Sequence, residues 1–126
     1  MRSQKGQSLV ETALILPILL LLLFGITDFA RICHVYLTLD HAGREAARVA
    51  TVGAEDAEII AEIQDASVGL NEDKLHIKIS PKGQANRVSG SDVKIEMTYP
   101  VDFLTPIIGQ IVGTFHLENT TVMRVE

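Results

Sequence analysis

One carboxylate in this chain stands where a charge is costly. Glu11 opens onto a stretch, Thr12 to Thr27, that holds no charged residue. A carboxylate at the start of a membrane-compatible helix costs on the order of 1–3 kcal/mol, depending on its depth. Such a group either reaches back to the headgroups along its own stem or is held by an opposite charge. Elsewhere the residue types that do chemistry do not converge. Histidines stand at His34, His41, His76 and His116. His34 and His41 fall near one face of a helix, but no carboxylate or cysteine completes a metal set around them. The single cysteine, Cys33, excludes an internal disulfide and a cysteine-based zinc site, and reads as a small apolar helix residue. Ser3, Ser8, Ser67, Ser80, Ser89 and Ser91 have no nucleophile motif around them, and there is no phosphate-binding loop. Asn119-Thr120-Thr121 matches a glycosylation sequon, a pattern too short to carry weight alone. The expectation is a protein that is not an enzyme, with no catalytic, cofactor-binding or metal residues and no small-molecule substrate.

The chain's 126 residues make one small domain. A net charge of −5 argues against nucleic acid as a partner, which would call for a basic stripe. The apolar content is concentrated: from Ala13 to Ile26 every residue is Ala, Leu, Ile, Pro, Phe or Gly. What remains has a thin core and needs help from a partner, the membrane or the long helix itself. As a helix the uncharged stretch is about 24 Å long, somewhat short of a hydrocarbon core of roughly 30 Å. Leu9 and Val10 before it, and Phe29 and Ala30 after it, extend it to an adequate span. Arg2 and Lys5 precede it with no acid among them, which favours a cytoplasmic N-terminus and an outward C-terminal part.

Three readings fit such a segment. A secretory signal peptide would share the basic start and apolar middle, but Ile26-Thr27-Asp28-Phe29-Ala30-Arg31 offers no small-x-small cleavage site. A plain anchor fits the length but gives no reason for Glu11. A leader cut on the cytoplasmic side, before the apolar run, leaves that run attached and puts Glu11 close to a new amino terminus.

Lys5-Gly6-Gln7-Ser8-Leu9-Val10-Glu11, then Ala13-Leu14-Ile15-Leu16-Pro17 and a leucine run, resembles the TadE-like pseudopilins of the Tad (Flp, type IVb) pilus system. Asp28-Phe29-Ala30-Arg31 sits where that family has an acidic-aromatic-small-Arg turn. Ala42-Gly43-Arg44-Glu45-Ala46-Ala47-Arg48 is similar to its Ala-Ala-Arg-Glu-x-Ala-Arg stretch, and Thr121 to Glu126 is similar to its closing strand. Thr12 stands where the family usually has an aromatic residue. The resemblance implies a leader, residues 1–6, removed by a prepilin peptidase between Gly6 and Gln7. It implies a transmembrane helix over 7–30 and an extracytoplasmic pilin-like domain over 31–126. It implies that Glu11, fifth in the mature chain, pairs with the free amine of a neighbouring subunit and sets the register between helices. The implied partners are the membrane, the peptidase, other pilin subunits and the assembly platform. The implied role is that of a minor pilin or pseudopilin in, or at the base of, a pilus. The alternative is an uncleaved single-pass module that binds something outside the cytoplasm.

Periodicity supplies the elements. Leu9 to about Val52 reads as one helix with a local kink expected at Pro17, which neighbouring helices tolerate in a membrane. Ala42, Ala46 and Ala50, with Gly43 and Ala47 beside them, form a small-residue stripe that admits a close backbone, either the chain's own sheet or another subunit's helix. Asp40–Arg44 and Glu45–Arg48 are spaced as helix ion pairs. Gly53 ends this helix. Glu55 to Ala66 forms a second, with Ile59, Ile60, Ile63 and Ala66 on one face. After a turn at Gly69 to Asp73 the period becomes two. Leu75, Ile77 and Ile79 mark one strand, and Val93, Ile95, Met97 and Tyr99 a second. Phe115, Leu117, Met123 and Val125 mark a third, less regular one. The loop from Pro81 to Asp92 is expected to be mobile. Pro100 to Gly113 is too apolar for a solvated connection and reads as a short core-capping helix or an exposed subunit contact. The fold class is α+β: a long transmembrane-plus-amphipathic helix packed on a small antiparallel sheet.

Overall fold

The computed structural model describes residues 2–126. Met1 and the side chains of Arg2 and Ser3, part of the expected leader, lie outside the described residues. The chain forms α1 (Arg2–Thr51), α2 (Asp56–Ala66), β1 (His76–Ser80), β2 (Asp92–Val101), α3 (Pro106–Val112) and β3 (Phe115–Arg124). Single 3-10 turns lie at Glu72–Lys74 and Gln84–Asn86.

α1 continues through Pro17. It starts earlier than expected, because Arg2 to Ser8 holds no proline, and the one weak helix former, Gly6, does not stop the apolar run from propagating the helix backwards. It stops at Gly53, whose φ of +91° suits a residue without a β-carbon. There Gly53 N–H donates to Ala50 O at 3.2 Å and Ala54 N–H to Val49 O at 3.4 Å. α2 carries Asp56 and Glu58 in its first turn, where they complement the positive end of the helix. It buries Ile59 and Ile63, while Ile60, expected on the same face, is exposed. α1, the larger helix, occupies the space over the sheet, so α2 shows it only a narrow stripe.

The strands form an antiparallel meander in the order β1-β2-β3. Ile79 pairs with Ile95, and Ile95 with Thr121. On the inner face Val93, Ile95, Met97 and Val101 are buried along β2, as period two requires. The outer face is polar. Glu96 sits between Lys94, 2.6 Å away, and Lys78, 4.0 Å away. The hydrogen bond from Lys94 and its charge hold the Glu96 carboxyl below its ordinary value.

The core lies between this sheet and one stripe of α1: Val35, Leu39, Ala42, Ala46 and Ala50, with Ala47 beside them, all buried. The small-residue stripe is therefore consumed inside the chain. Gly43 shows why the stripe is small. A β-carbon there would collide with Thr121 Oγ1 and come within 3.0 Å of Met97 Cε and 3.1 Å of Asn119 Oδ1. The irregularity of β3 has the same origin. Asn119 and Thr121 occupy inward positions opposite Met97 and Ile95, where the backbone of α1 comes too close for large side chains, and Thr121 Oγ1 donates to Asn119 Oδ1 at 3.3 Å.

The Pro81–Asp92 loop, expected to be mobile, is fastened to the turn between α1 and α2. The buried Arg87 donates from Nη1 to Ala54 O at 2.7 Å, and its Nη2 pairs with Asp56. Asp56 Oδ2 also accepts from Gly83 N–H at 3.0 Å, and Gln84 Nε2 donates to Gly53 O. Burial pushes the Arg87 guanidinium down from its ordinary value.

The contact at Gly43 yields a prediction with a built-in control. Gly43→Ala improves helix propensity by about 0.5–1 kcal/mol, but overpacking costs about 1–3 kcal/mol, so the domain should unfold at lower urea. Gly25→Ala, where an added β-carbon meets nothing within 4 Å, should leave the midpoint unchanged. Thr121→Ala should rescue Gly43→Ala. Urea unfolding in detergent micelles, followed by circular dichroism, reads all three.

Candidate functional site

Two regions of α1 bear on function: its free amino-terminal end and the level at which it enters the domain. From Gln4 to Phe24 every side chain is exposed, as are Ile26 and Thr27, so no described residue covers this stretch of the helix. The hydroxyls that bound the apolar run turn back onto their own helix. Thr12 Oγ1 donates to Ser8 O at 2.9 Å and Thr27 Oγ1 to Leu23 O at 3.0 Å, which leaves both compatible with lipid. α1 is long and apolar enough to cross a membrane.

Gly6, Gln7 and Glu11 fall within the first turns of this exposed half. Gln7 Nε2 donates to Glu11 Oε1 at 3.3 Å, one turn along. Among the described residues no cation pairs with Glu11, so its second oxygen is open to a partner from outside the chain. A β-carbon on Gly6 would meet nothing within 4 Å. The Gly6–Gln7 bond is thus uncovered, but it is helical.

Among the described residues Asp28 is the first buried one along α1, 4% exposed. Its Oδ1 accepts from Leu104 N–H at 2.8 Å, and its Oδ2 accepts from Thr105 N–H at 2.9 Å and Thr105 Oγ1 at 2.6 Å. Thr105 is the N-cap of α3, so a carboxylate from α1 satisfies donors that α3 cannot satisfy itself. One turn on, Arg31 Nη1 lies 3.9 Å from Asp28 Oδ1 and donates to Asp102 O at 3.0 Å. Asp28-Phe29-Ala30-Arg31 is therefore one turn within α1, as the continuous helix expected from Leu9 to about Val52 requires. Its acid and its arginine are the two hands of a clamp on the β2–α3 connection. In the sequence Asp28 stands after the uncharged run and opens the Asp28-Phe29-Ala30-Arg31 segment, with no partner indicated for its carboxylate. Its position one helical turn before Arg31, with a Thr-Pro helix start far along the chain, was the signal that could have found the clamp.

α3 does not cap the core. None of its residues is buried, and Ile107, Ile108, Ile111 and Val112 all face outward. Beside the clamp an open cleft of about 380 Å³ is lined by residues that include Arg31, His34, Lys74, Tyr99 and Asp102. His34, His41, His76 and His116 are all exposed. Among the described residues no group of histidine, cysteine and acidic side chains could hold a metal ion.

Residues 6–48 match the family model described as TadE-like protein. Over this segment the chain is TadE-like. The TadE-like segment begins at Gly6, takes in Gln7, Glu11, the apolar run and the clamp pair Asp28 and Arg31, and ends at Arg48 within the last turn of α1. The sheet and α3 lie beyond it. No curated protein and no solved structure matches the chain.

The clamp makes a local prediction. In Asp28→Ala three donors lose their acceptor, and a buried donor left unsatisfied costs about 1–3 kcal/mol. Amide exchange at Leu104 and Thr105 should accelerate by about tenfold or more, since 1.4 kcal/mol is a factor of ten. Exchange at Ile95 and Met97, in the middle of the sheet, should change far less. Hydrogen–deuterium exchange with mass spectrometry of the full chain in micelles reads both.

Proposed function

We propose that this chain is a minor pilin or pseudopilin subunit that co-assembles through its N-terminal helix in a Tad-type pilus or secretion system. The observation that carries this reading is the surface of α1. From Gln4 to Thr27 its side chains are left uncovered, from Asp28 one stripe is sunk into a folded domain, and the TadE-like match spans both halves. Such a subunit is stored in the membrane by its apolar half, N-terminus in the cytoplasm, with residues 31–126 outside.

A prepilin peptidase then removes residues 1–6. The Gly6–Gln7 bond lies in the first turns of a helix that must open locally to be cut. Gly6 favours that opening, since glycine is about 1 kcal/mol less helix-stable than alanine. Cleavage exposes the amine of Gln7. In a neighbouring subunit Glu11 takes that amine, and the pair offsets the burial of both charges while setting the axial register. Other pilin subunits and the assembly platform are the remaining partners, and no catalytic role is assigned. The cleft beside Arg31, His34 and Lys74 favours a second reading, an uncleaved anchored module that binds an extracytoplasmic partner.

Intact-mass analysis of the protein from native membranes separates the two readings. The expected chain starts at Gln7 and has lost Arg2 and Lys5, leaving 11 − 2 = 9 basic against 16 acidic residues and a formal charge of −7. A chain that still starts at Met1 beside an active peptidase favours the anchored module.

Glu11→Gln tests the register contact. If Glu11 only snorkels, the amide is cheaper to bury and the variant behaves as wild type. If Glu11 pairs with a neighbour's amine, the variant strands that amine, at about 3–5 kcal/mol in the fully buried limit and less near headgroups. The variant should then insert and be cleaved normally but fail to co-purify with its pilin partners at matched membrane levels. Equal recovery of partners would remove the central contact of the assembly reading.

A further inference from the structure

Five apolar side chains of the β2–β3 connection, and Phe115 at the start of β3, are left exposed. Leu104, Ile107, Ile108, Ile111, Val112 and Phe115 are between 38% and 78% exposed, and from Phe103 to Phe115 the chain holds no charged residue. An apolar patch of this kind on a small domain marks a contact with something else.

Its position says with what. The sheet runs alongside α1. At one end Glu126 N–H donates to Thr51 O at 3.3 Å. At the other, Asp102 O accepts from Arg31, and Leu104 and Thr105 donate to Asp28. The connection therefore sits at the end of the domain from which the apolar half of α1 emerges, about 35 Å along the helix from Thr51. At the same level of α1, Ile26 and Phe29 are 58% and 69% exposed. The patch continues the lipid-compatible surface of the span.

We propose that α3 and Phe115 are seated in the interface of the membrane leaflet from which the domain emerges, a second membrane contact in the manner of a monotopic segment. The proposal rests on the reading of α1 as a transmembrane helix. The length of the span supports it independently. Thr12 to Thr27 covers about 24 Å of a core of roughly 30 Å, and an acid facing lipid at position 28 would end the span there. Asp28 does not face lipid: its oxygens are occupied by the start of α3. With the acid masked, Phe29 and Ala30 can lie below the headgroups, and α3, tied to the same level, descends with them. Arg31, its side chain 44% exposed, stands where a guanidinium reaches the headgroups.

The test uses the full chain in a Cys33→Ala background, in phosphatidylcholine–phosphatidylglycerol vesicles at high lipid-to-protein ratio. A fluorophore is attached singly after Ile111→Cys, Leu20→Cys or Val88→Cys, and quenched by brominated lipid or by aqueous iodide. Leu20 lies in the span, and the exposed Val88 lies next to the Thr51 end of the domain, where Gly90 N–H donates to Val125 O. The label at position 111 should be quenched by brominated lipid like that at position 20, and several-fold less by iodide than that at position 88. Adding Ile107→Asp should reverse the pattern at position 111 and leave position 20 unchanged. Iodide access at 111 equal to that at 88, with 20 still quenched by lipid, overturns the proposal and leaves the transmembrane reading standing. Protection of 111 from both quenchers, lost on dilution with more lipid, assigns the patch to a second copy and also overturns it. Absence of lipid quenching at both 111 and 20 overturns the proposal and the transmembrane reading together.

Discussion

An α-helix satisfies its own backbone hydrogen bonds, so α1 can pass from one solvent to another without changing conformation. Only its side chains must change, and the rest of the structure follows from where they do. From Gln4 to Thr27 the helix is covered by no described residue of the chain. From Asp28 onward one stripe meets the sheet, and the opposite face carries Arg44, Arg48 and other groups suited to water. The sheet has one apolar face that must be buried against another element, and the second half of α1 is that element.

How closely the partner approaches is set by side-chain size. The alanines from Ala42 to Ala50, with Gly43 among them, bring the helix backbone down onto β2 and β3. The close approach compensates for a core with few large side chains, since dispersion contacts and water exclusion depend on tight packing. It also explains why polar residues are tolerated at inward positions of β3. Asn119 and Thr121 are small enough for the gap, and the Thr121 hydroxyl donates to Asn119 Oδ1.

The same helix also carries the joint between its two halves. Asp28 turns inward and accepts the free N–H groups at the start of α3, while Arg31 holds the carbonyl of Asp102. A buried carboxylate is stable when donors are arranged around it. Placing those donors on the β2–β3 connection couples the level of the domain to the level of the span. The arrangement places the exposed apolar residues of α3 at the end of the domain from which the uncovered half of α1 emerges.

Much of this was legible in the residues alone. The uncharged run, the isolated Glu11, the glycine at the end of α1 and the period-two alternation of β1 and β2 are local signals. A helix must hide its polar groups in lipid, a C-terminal glycine relieves backbone strain, and a strand alternates its faces whatever surrounds it. The TadE-like character of the first third is likewise local, carried by contiguous residues. Other features depend on what lies across the fold. Ile60 shares a helical face with Ile59 and Ile63, yet it is exposed because α1 took the space above the sheet. Sequence spacing could not say whether the alanine stripe met its own sheet or another chain, because a close approach looks the same from one side. Asp28 reads in sequence as a polar end to an apolar run, and α3 as a cap for the core. Only the return of the chain some seventy residues later, with unsatisfied N–H groups at the start of α3, gave the acid its partners and turned the helix outward.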